Sequence, residues 1–477
     1  MRLRTCVACI VLLAPASASA QTTRLWPTIG SNAYNIELFQ GPVLAPLRVT
    51  GLGGAYGPYA EGIPANAAAP AVRAPYSVKH FDWDLAFSVS FPGAFANTDF
   101  DNDGRVGFSY SDHTFYTLGG LIQAGRLGIG VLGDFQRYNL TPNASPDAAR
   151  STLTIGRIHV QAGWAFFNNQ LVVGAGIRGV WLSIDTSQPG HSQTLLRMAG
   201  ASPEVGLLVR PDFQPWRIGA TFRAPVRSIA DLPGVVEDSA GVRRAAGLAV
   251  PNEVYLPWEL QAGFAIQVGP RPINPKWLDP YLQEEQARAE LRETRRARRS
   301  AVEAELSSLS DPARRERRKL EIEADETYLR AIEDAKLDKL HDQMLSERRA
   351  RYSNWPRQYV LVVVDALVTG PSPQAIGLES FLSQEVRRSG ESINVTPRLG
   401  LEGEPVINAI KTRIGSYVEP ARYAESNTRQ HFTFGFDVRI YDYPGWGILA
   451  PTSLRISAMA DLAPRYQNLG VSIGAWH

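Results

Sequence analysis

From His431 to Tyr441 the chain alternates strictly. Phe432, Phe434, Phe436, Val438 and Ile440 take one parity, and Thr433, Gly435, Asp437 and Arg439 the other. A side-chain period of two is the signature of a strand with one apolar and one polar face. Phe81, Trp83, Leu85, Phe87 and Val89 alternate in the same way with Asp82, Asp84, Ala86 and Ser88, and Leu454, Ile456, Ala458 and Ala460 alternate with Arg455, Ser457 and Asp461. About fourteen such segments follow from Phe81, near 81–91, 113–124, 126–138, 152–166, 170–185, 200–210, 215–228, 253–268, 357–370, 390–403, 407–419, 429–443, 452–462 and 467–477. Each is close to the length that a tilted membrane-spanning strand needs. The links also alternate. Tight turns at Gly125-Arg126, Phe167 to Gln170 and Pro211 to Pro215 interleave with longer polar loops at 92–112, 139–151, 186–199, 229–252 and 371–389.

This rhythm predicts an all-β fold, a transmembrane antiparallel barrel of about 14 strands, with short periplasmic turns, long external loops and both termini on the periplasmic side. A large soluble sandwich or propeller would alternate too. Against it stand Arg and Asp recurring on the polar parity and an export signal. Arg2 and Arg4 precede the short apolar run Cys6 to Ala14, and Ala18-Ser19-Ala20 offers a cleavage site before Gln21, the pattern of a secretory signal peptide over 1–20. Both Cys, Cys6 and Cys9, lie inside it, so the mature chain is expected to have no disulfide and no thiolate nucleophile. The 41 Gly and 10 Trp suit turns and aromatic girdles, and a charge of only +2 excludes the basic excess of a nucleic-acid binder.

One segment departs from this pattern. Residues 281–352 are strong helix formers without internal Gly, interrupted only at Ser310-Asp311-Pro312, where Ser310 or Asp311 can cap a second helix and Pro312 can open it. A helical hairpin is expected, with Leu320, Ala324, Leu329, Ile332, Ala335 and Leu340 as an apolar stripe, inserted after the eighth strand on the periplasmic side, as a spacer or as an arm for a periplasmic protein. The expected organisation is a signal peptide at 1–20, an N-terminal extension and hatch at 21–80, barrel strands 1–8 at 81–270, the hairpin insertion at 271–356 and strands 9–14 at 357–477. Outside the hairpin, charged residues thin to about 15%, below the roughly 25% of a soluble domain.

Three groups of residues could carry chemistry. Asp99, Asp101 and Asp103, followed by Gly104, open like a calcium loop in which alternating carboxylates converge on a hard cation. Its twelfth position is Tyr110 in place of Glu, with Asp112 nearby. The polar-parity charges should face the lumen, where Arg157, His159, Arg398, Arg413 and Arg439 are candidate ligand contacts and most other charges brace the interior. No nucleophile elbow, zinc-protease motif or phosphate-binding loop occurs, so no enzymatic activity is expected.

Between the signal peptide and the first strand, Gly51-Leu52-Gly53-Gly54-Ala55-Tyr56, then Ala60-Glu61-Gly62 and Ala69-Pro70-Ala71, form a Gly- and Ala-rich, charge-poor stretch. It resembles the N-terminal plug of the FadL/OmpP1/TodX family of outer-membrane transporters of hydrophobic compounds. Arg413-Ile414-Gly415-Ser416-Tyr417 and the strand after it resemble that family's C-terminal strands. The resemblance implies a fourteen-stranded barrel in the outer membrane, surrounded by its lipid, with Gly51 to Tyr56 and Pro70 in a hatch that fills the lumen. It also implies diffusive uptake of a hydrophobic small molecule, such as a long-chain fatty acid or an aromatic hydrocarbon, with no required cofactor. A structural barrel that transports nothing and docks a partner through the hairpin is the alternative.

Overall fold

The computed structural model describes residues 26–59, 61, 65–72, 81–93, 98–105, 107–143, 150–188, 191–275, 280–354 and 358–476. The signal peptide expected at 1–20, parts of the hatch (Ala60, Gly62 and 73–76) and the hairpin's linkers fall outside them. Fourteen antiparallel strands close into a barrel: β1 (Asp82–Pro92), β2 (Phe108–Ala124), β3 (Leu127–Pro142), β4 (Arg150–Phe166), β5 (Leu171–Gln188), β6 (His191–Val209), β7 (Trp216–Arg223), β8 (Glu259–Val268), β9 (Val360–Thr369), β10 (Asn394–Val406), β11 (Ile410–Glu419), β12 (Arg429–Tyr443), β13 (Thr452–Ala463) and β14 (Tyr466–Trp476). Leu85–Pro92 of β1 pairs with Asn468–Ala475 of β14, which removes the free sheet edge that hydrocarbon would not tolerate.

Alternation decides which face is which. Leu85, Phe87 and Phe91 of β1 point outward, while Asp82, Asp84, Ser88 and Ser90 are buried inside. Trp83 to Phe91 spans eight residues of β1 and Phe432 to Tyr441 nine of β12, about 26–30 Å along a strand and roughly 20–23 Å across a bilayer at a tilt of ~40°. This is close to the ~25 Å apolar band of membrane barrels.

The tight turns, the start of β1 and the end of β14 share one end of the barrel, called inner below. The hairpin leaves β8 at that end, as expected. Its helices are α2 (Pro280–Ser308) and α3 (Pro312–Asn354), and Asp311 caps α3 by accepting a hydrogen bond from the Ala313 amide at 2.9 Å. The expected apolar stripe needs correction. Leu320 is 61% exposed and Leu329, Ala324 and Ala335 are exposed as well, whereas Ile332 and Leu340 of the stripe are half-buried, as are Ile322 and Leu337 outside it. Ion pairs of Glu333 with Arg295 (2.6 Å) and Arg298 tie the arms together.

The outer end carries a cap that alternation did not predict. Asn35–Glu37 lies parallel to Glu253–Leu256 and to Ala375–Ile376, so the N-terminal segment is built into the outer loops. Ile36, Leu38, Leu153, Leu182, Leu196, Val254 and Phe381 belong to its apolar core. Two expectations change as a result. Residues 253–256 leave the eighth strand for this cap, and 186–199 is mostly a strand hairpin in place of a loop, because β5 and β6 run on above the membrane.

From the cap the chain descends through the lumen as α1 (Leu47–Thr50) and a short helical turn at Ala69–Ala71. Leu52, Ala55 and Tyr56 are fully buried there. The wall meets it with glycine. A Cβ on Gly415 would lie 2.2 Å from Gly53 N, one on Gly174 1.9 Å from Ala67 O, and one on Gly128 1.9 Å from Pro70 O. Gly53 itself has φ +65 and sits against Ser416 backbone atoms, so it needs both the missing Cβ and the left-handed conformation. Gly174→Val should therefore push the plug off the wall, lowering the melting temperature and opening 47–72 to protease, with Gly30→Ala, which has open space around it, as the neutral control. Unchanged protection in the valine variant would contradict this seating.

Candidate functional site

Between the plug and the wall, on its outer side, lies a cavity of about 140 Å³, room for a ligand's head group and smaller than a site that encloses a whole drug-sized molecule. Val43, Leu44, Val49, Leu132 and Leu367 supply its apolar lining, and Asp134, Arg157, His159, Arg178, Arg223, Glu259 and Arg398 its charges. These come from β3, β4, β5, β7, β8 and β10 because their inward parities converge at one height.

Several of the charges are satisfied. Arg178 pairs with Glu259 at 2.9 Å, His159 Nδ1 lies 3.0 Å from Glu204, and Arg223 Nε lies 3.4 Å from the same carboxylate. Arg157 and Arg398 have no carboxylate within 4.0 Å among the described residues. Arg157 donates to Gln40 Oε1 at 3.3 Å and Arg398 to the Gly54 carbonyl at 3.2 Å, both acceptors belonging to the segment that fills the lumen. The Nε atoms of both guanidinia are buried without a hydrogen-bond partner. Both cations thus hydrogen-bond only to neutral oxygens, although each stands across from a carboxylate on the next strand, Arg157 from Asp134 and Arg398 from Asp365, and the donors left open can take an anion.

Of the five expected ligand contacts, Arg157, His159 and Arg398 line this cavity. Arg413 and Arg439 do not, and their roles are corrected. Arg413 is saturated, with two 2.6 Å hydrogen bonds to Asp437 and one to Glu402, to which Tyr359 also donates. It braces the wall beside Gly51. Arg439 pairs with Asp442 and donates to Asn408 at the inner rim. Sequence reasoning did not single out Arg178, Glu204 or Glu259. Parity on β5, β6 and β8 was the available signal.

The acidic loop is tied to the cap. Carboxylate oxygens of Asp99, Asp101 and Asp103 lie within 4.8 Å of one another. Tyr110 donates to Glu379 Oε1 at 2.5 Å, and Tyr423 to Asp101 at 3.1 Å. Glu379 of α4 (Leu378–Ser383), 269 residues beyond Tyr110, adds a nearby carboxyl without joining that convergence. Asp112 is elsewhere, accepting from Asn139 at 2.7 Å. Burial first, and then the Asp103 carboxylate, pushes Glu379 up to about 8. The same causes raise Asp99 to about 6, and burial followed by Glu379 raises Asp101 well above the usual carboxylate range. Arg387 pairs with Asp103, and Arg429 donates to the Asp99 carbonyl at 2.6 Å. From Arg429 a chain of contacts runs through Glu419, His431, Asp461 and Tyr417 to the Val43 amide, linking the cap to the plug's entry.

Neither a protein-family model nor a curated protein matches the chain. Among solved structures it is similar to the CymD monoaromatic hydrocarbon channel, at 12% identity over 93% of this chain and 98% of that one, with a TM-score of 0.43. A Pseudomonas aeruginosa FadL homologue matches at 10% over 94% and 98%, with a TM-score of 0.45. A TodX monoaromatic hydrocarbon channel mutant matches at 10% over 92% and 99%, with a TM-score of 0.47. The functional reading below rests on the lumen itself.

Two outcomes follow from these contacts. Arg413→Ala leaves Glu402 and Asp437 buried with no bonded cation, the nearest being Arg48 at 4.0 Å from Glu402, and should cost about 3–5 kcal/mol, whereas Arg439→Ala, at the rim, should cost under about 1 kcal/mol; denaturant titration compares them. Glu379, near 8 in the folded chain against an ordinary 4.5, holds a proton that the unfolded chain has released between those values. Stability of the cap should therefore fall as pH rises from 4.5 to 8. Glu379→Gln should flatten that slope in pH-dependent melting or hydrogen exchange.

Proposed function

We propose that the chain is an outer-membrane channel for diffusive uptake of hydrophobic molecules, and that its preferred ligand is an amphiphile with an anionic head, such as a long-chain fatty acid. The observation that carries this is the lumen cavity, whose aliphatic residues can meet the start of a tail while Arg157 and Arg398 hydrogen-bond only to neutral oxygens. A ligand carboxylate would replace Gln40 Oε1 and the Gly54 carbonyl as acceptor. Exchanging a neutral acceptor for a charged one strengthens the wall contact and frees two oxygens that anchor the lumen segment. Binding would then loosen the plug, a coupling limited by the difference in ligand affinity between the seated and loosened states. No energy source is needed, since a ligand that prefers lipid to water moves down its own gradient. An aromatic hydrocarbon would use the same apolar lining without the arginines. The size of the helical hairpin favours the alternative, a structural barrel that binds a partner and transports nothing.

The test is calorimetric titration of oleate and of the matching fatty alcohol into purified protein. Arg157→Ala with Arg398→Ala should weaken oleate at least about tenfold, or ~1.4 kcal/mol, and leave the alcohol unchanged. Equal losses for both ligands, or no saturable oleate binding, would remove the reading.

The proposal extends to calcium at Asp99, Asp101 and Asp103, whose oxygens converge as a hard cation requires. At neutral pH calcium would have to displace protons from the crowded carboxyls, so its uptake should release protons, detectable as a buffer-dependent heat. No heat up to millimolar calcium at pH 8 would exclude it.

A further inference from the structure

The hairpin's neutrality hides a separation of charge. Between Arg295 and Lys319, around the turn that joins α2 and α3, eight Arg and one Lys stand against four acidic residues, a net +5. The rest of the two helices, 280–294 and 320–354, holds 13 acidic against 8 basic residues, a net −5. Part of the turn-end charge is used internally, as Arg295 and Arg298 clamp Glu333 and Arg318 pairs with Glu305 at 2.7 Å. Arg296, Arg299 and Arg317 are exposed and belong to no ion pair among the described residues. At ~1.5 Å per residue the 29 residues of α2 put its tip about 44 Å from the linker, with the basic stretch covering roughly the outer 20 Å.

We propose that this basic end binds a polyanion, the carboxylate-bearing glycan–peptide polymer of the cell wall, and so tethers the barrel to it. The location rests on the outer-membrane reading above, and the binding chemistry rests on the hairpin alone. A second copy is a poor partner, because barrels inserted alike in one membrane would bring +5 against +5. A folded protein is a poor partner too. Stable protein interfaces are anchored by buried aromatic and apolar side chains, and residues 295–319 contain no aromatic, while Val302 and Leu306 are partly covered between the arms. A bilayer surface would be met by basic residues interleaved with a row of Trp, Phe or Leu, and the turn offers only the isolated Leu309 and Leu320. What remains is an Arg-rich surface whose planar forks suit carboxylates spaced along a flexible chain. An extended polymer needs no complementary pocket.

The experiment uses the full-length protein in a neutral detergent, co-sedimented with purified wall sacculi, with vesicles containing anionic lipid and with neutral vesicles, at about 50 and 300 mM salt. The wild type should pellet with sacculi at low salt and be released at high salt, as screening shortens the reach of the charges. The triple variant Arg296→Glu, Arg299→Glu, Arg317→Glu should bind sacculi at least tenfold more weakly. Its helix and strand circular dichroism and its oleate affinity should match wild type, which separates this proposal from the one about the lumen. Equal retention of variant and wild type would overturn it, as would retention on anionic vesicles with none on sacculi.

Discussion

Backbone lies directly on backbone where the lumen segment crosses the barrel, and this is possible only where the wall lacks a Cβ. Gly415 under Gly53, Gly174 under Ala67 and Gly128 under Pro70 leave no room for a larger residue. That contact fixes the path of residues 47–72, and the path decides which lumen charges are covered and which face a void. On one side the plug seals against saturated pairs such as Arg413 with Asp437. On the other it stops short of the wall and leaves the chamber that Arg157 and Arg398 share.

The lumen thus holds two kinds of charge. Braced charges are ion-paired with a carboxylate on another strand, and losing one partner strands the other in a low-dielectric interior. Poised charges hydrogen-bond only to neutral oxygens of the lumen segment and face their nearest carboxylates, Asp134 and Asp365, across strands without an ion pair. The same sequence feature, a charge on the polar parity of a strand, produces both. Three-dimensional pairing sorts them.

That sorting marks where sequence reasoning stopped. Alternation gave all fourteen barrel strands, because within the membrane one face must be apolar and the other polar. It failed at the outer ends of β5 and β6, where the strands leave the bilayer and both faces pack into the cap: Leu195 and Leu196 are adjacent and both buried. It also missed the pairing of Asn35–Glu37 with strands more than 200 residues away, since nothing local encodes a parallel partner at that separation. In the site, parity found Arg157, His159 and Arg398, yet it could not tell them from Arg413, whose neutralising carboxylates sit on other strands. The hairpin was legible as helices and its inward face only in part: Ile332 and Leu340 of the apolar stripe are half-buried, while the ion pairs of Glu333 with Arg295 and Arg298 across the arms could not be read from spacing along one helix.

The central claim is that the chamber between plug and wall holds the head of an anionic amphiphile. The most direct measurement is a crystal structure with a fatty acid brominated along its tail. The account predicts anomalous bromine peaks along Leu44, Val49 and Leu132, with the carboxylate at Arg157 or Arg398 and its neutral acceptor displaced. Bromine only on the outer apolar belt, with Arg157 and Arg398 still held by Gln40 and Gly54, would contradict it.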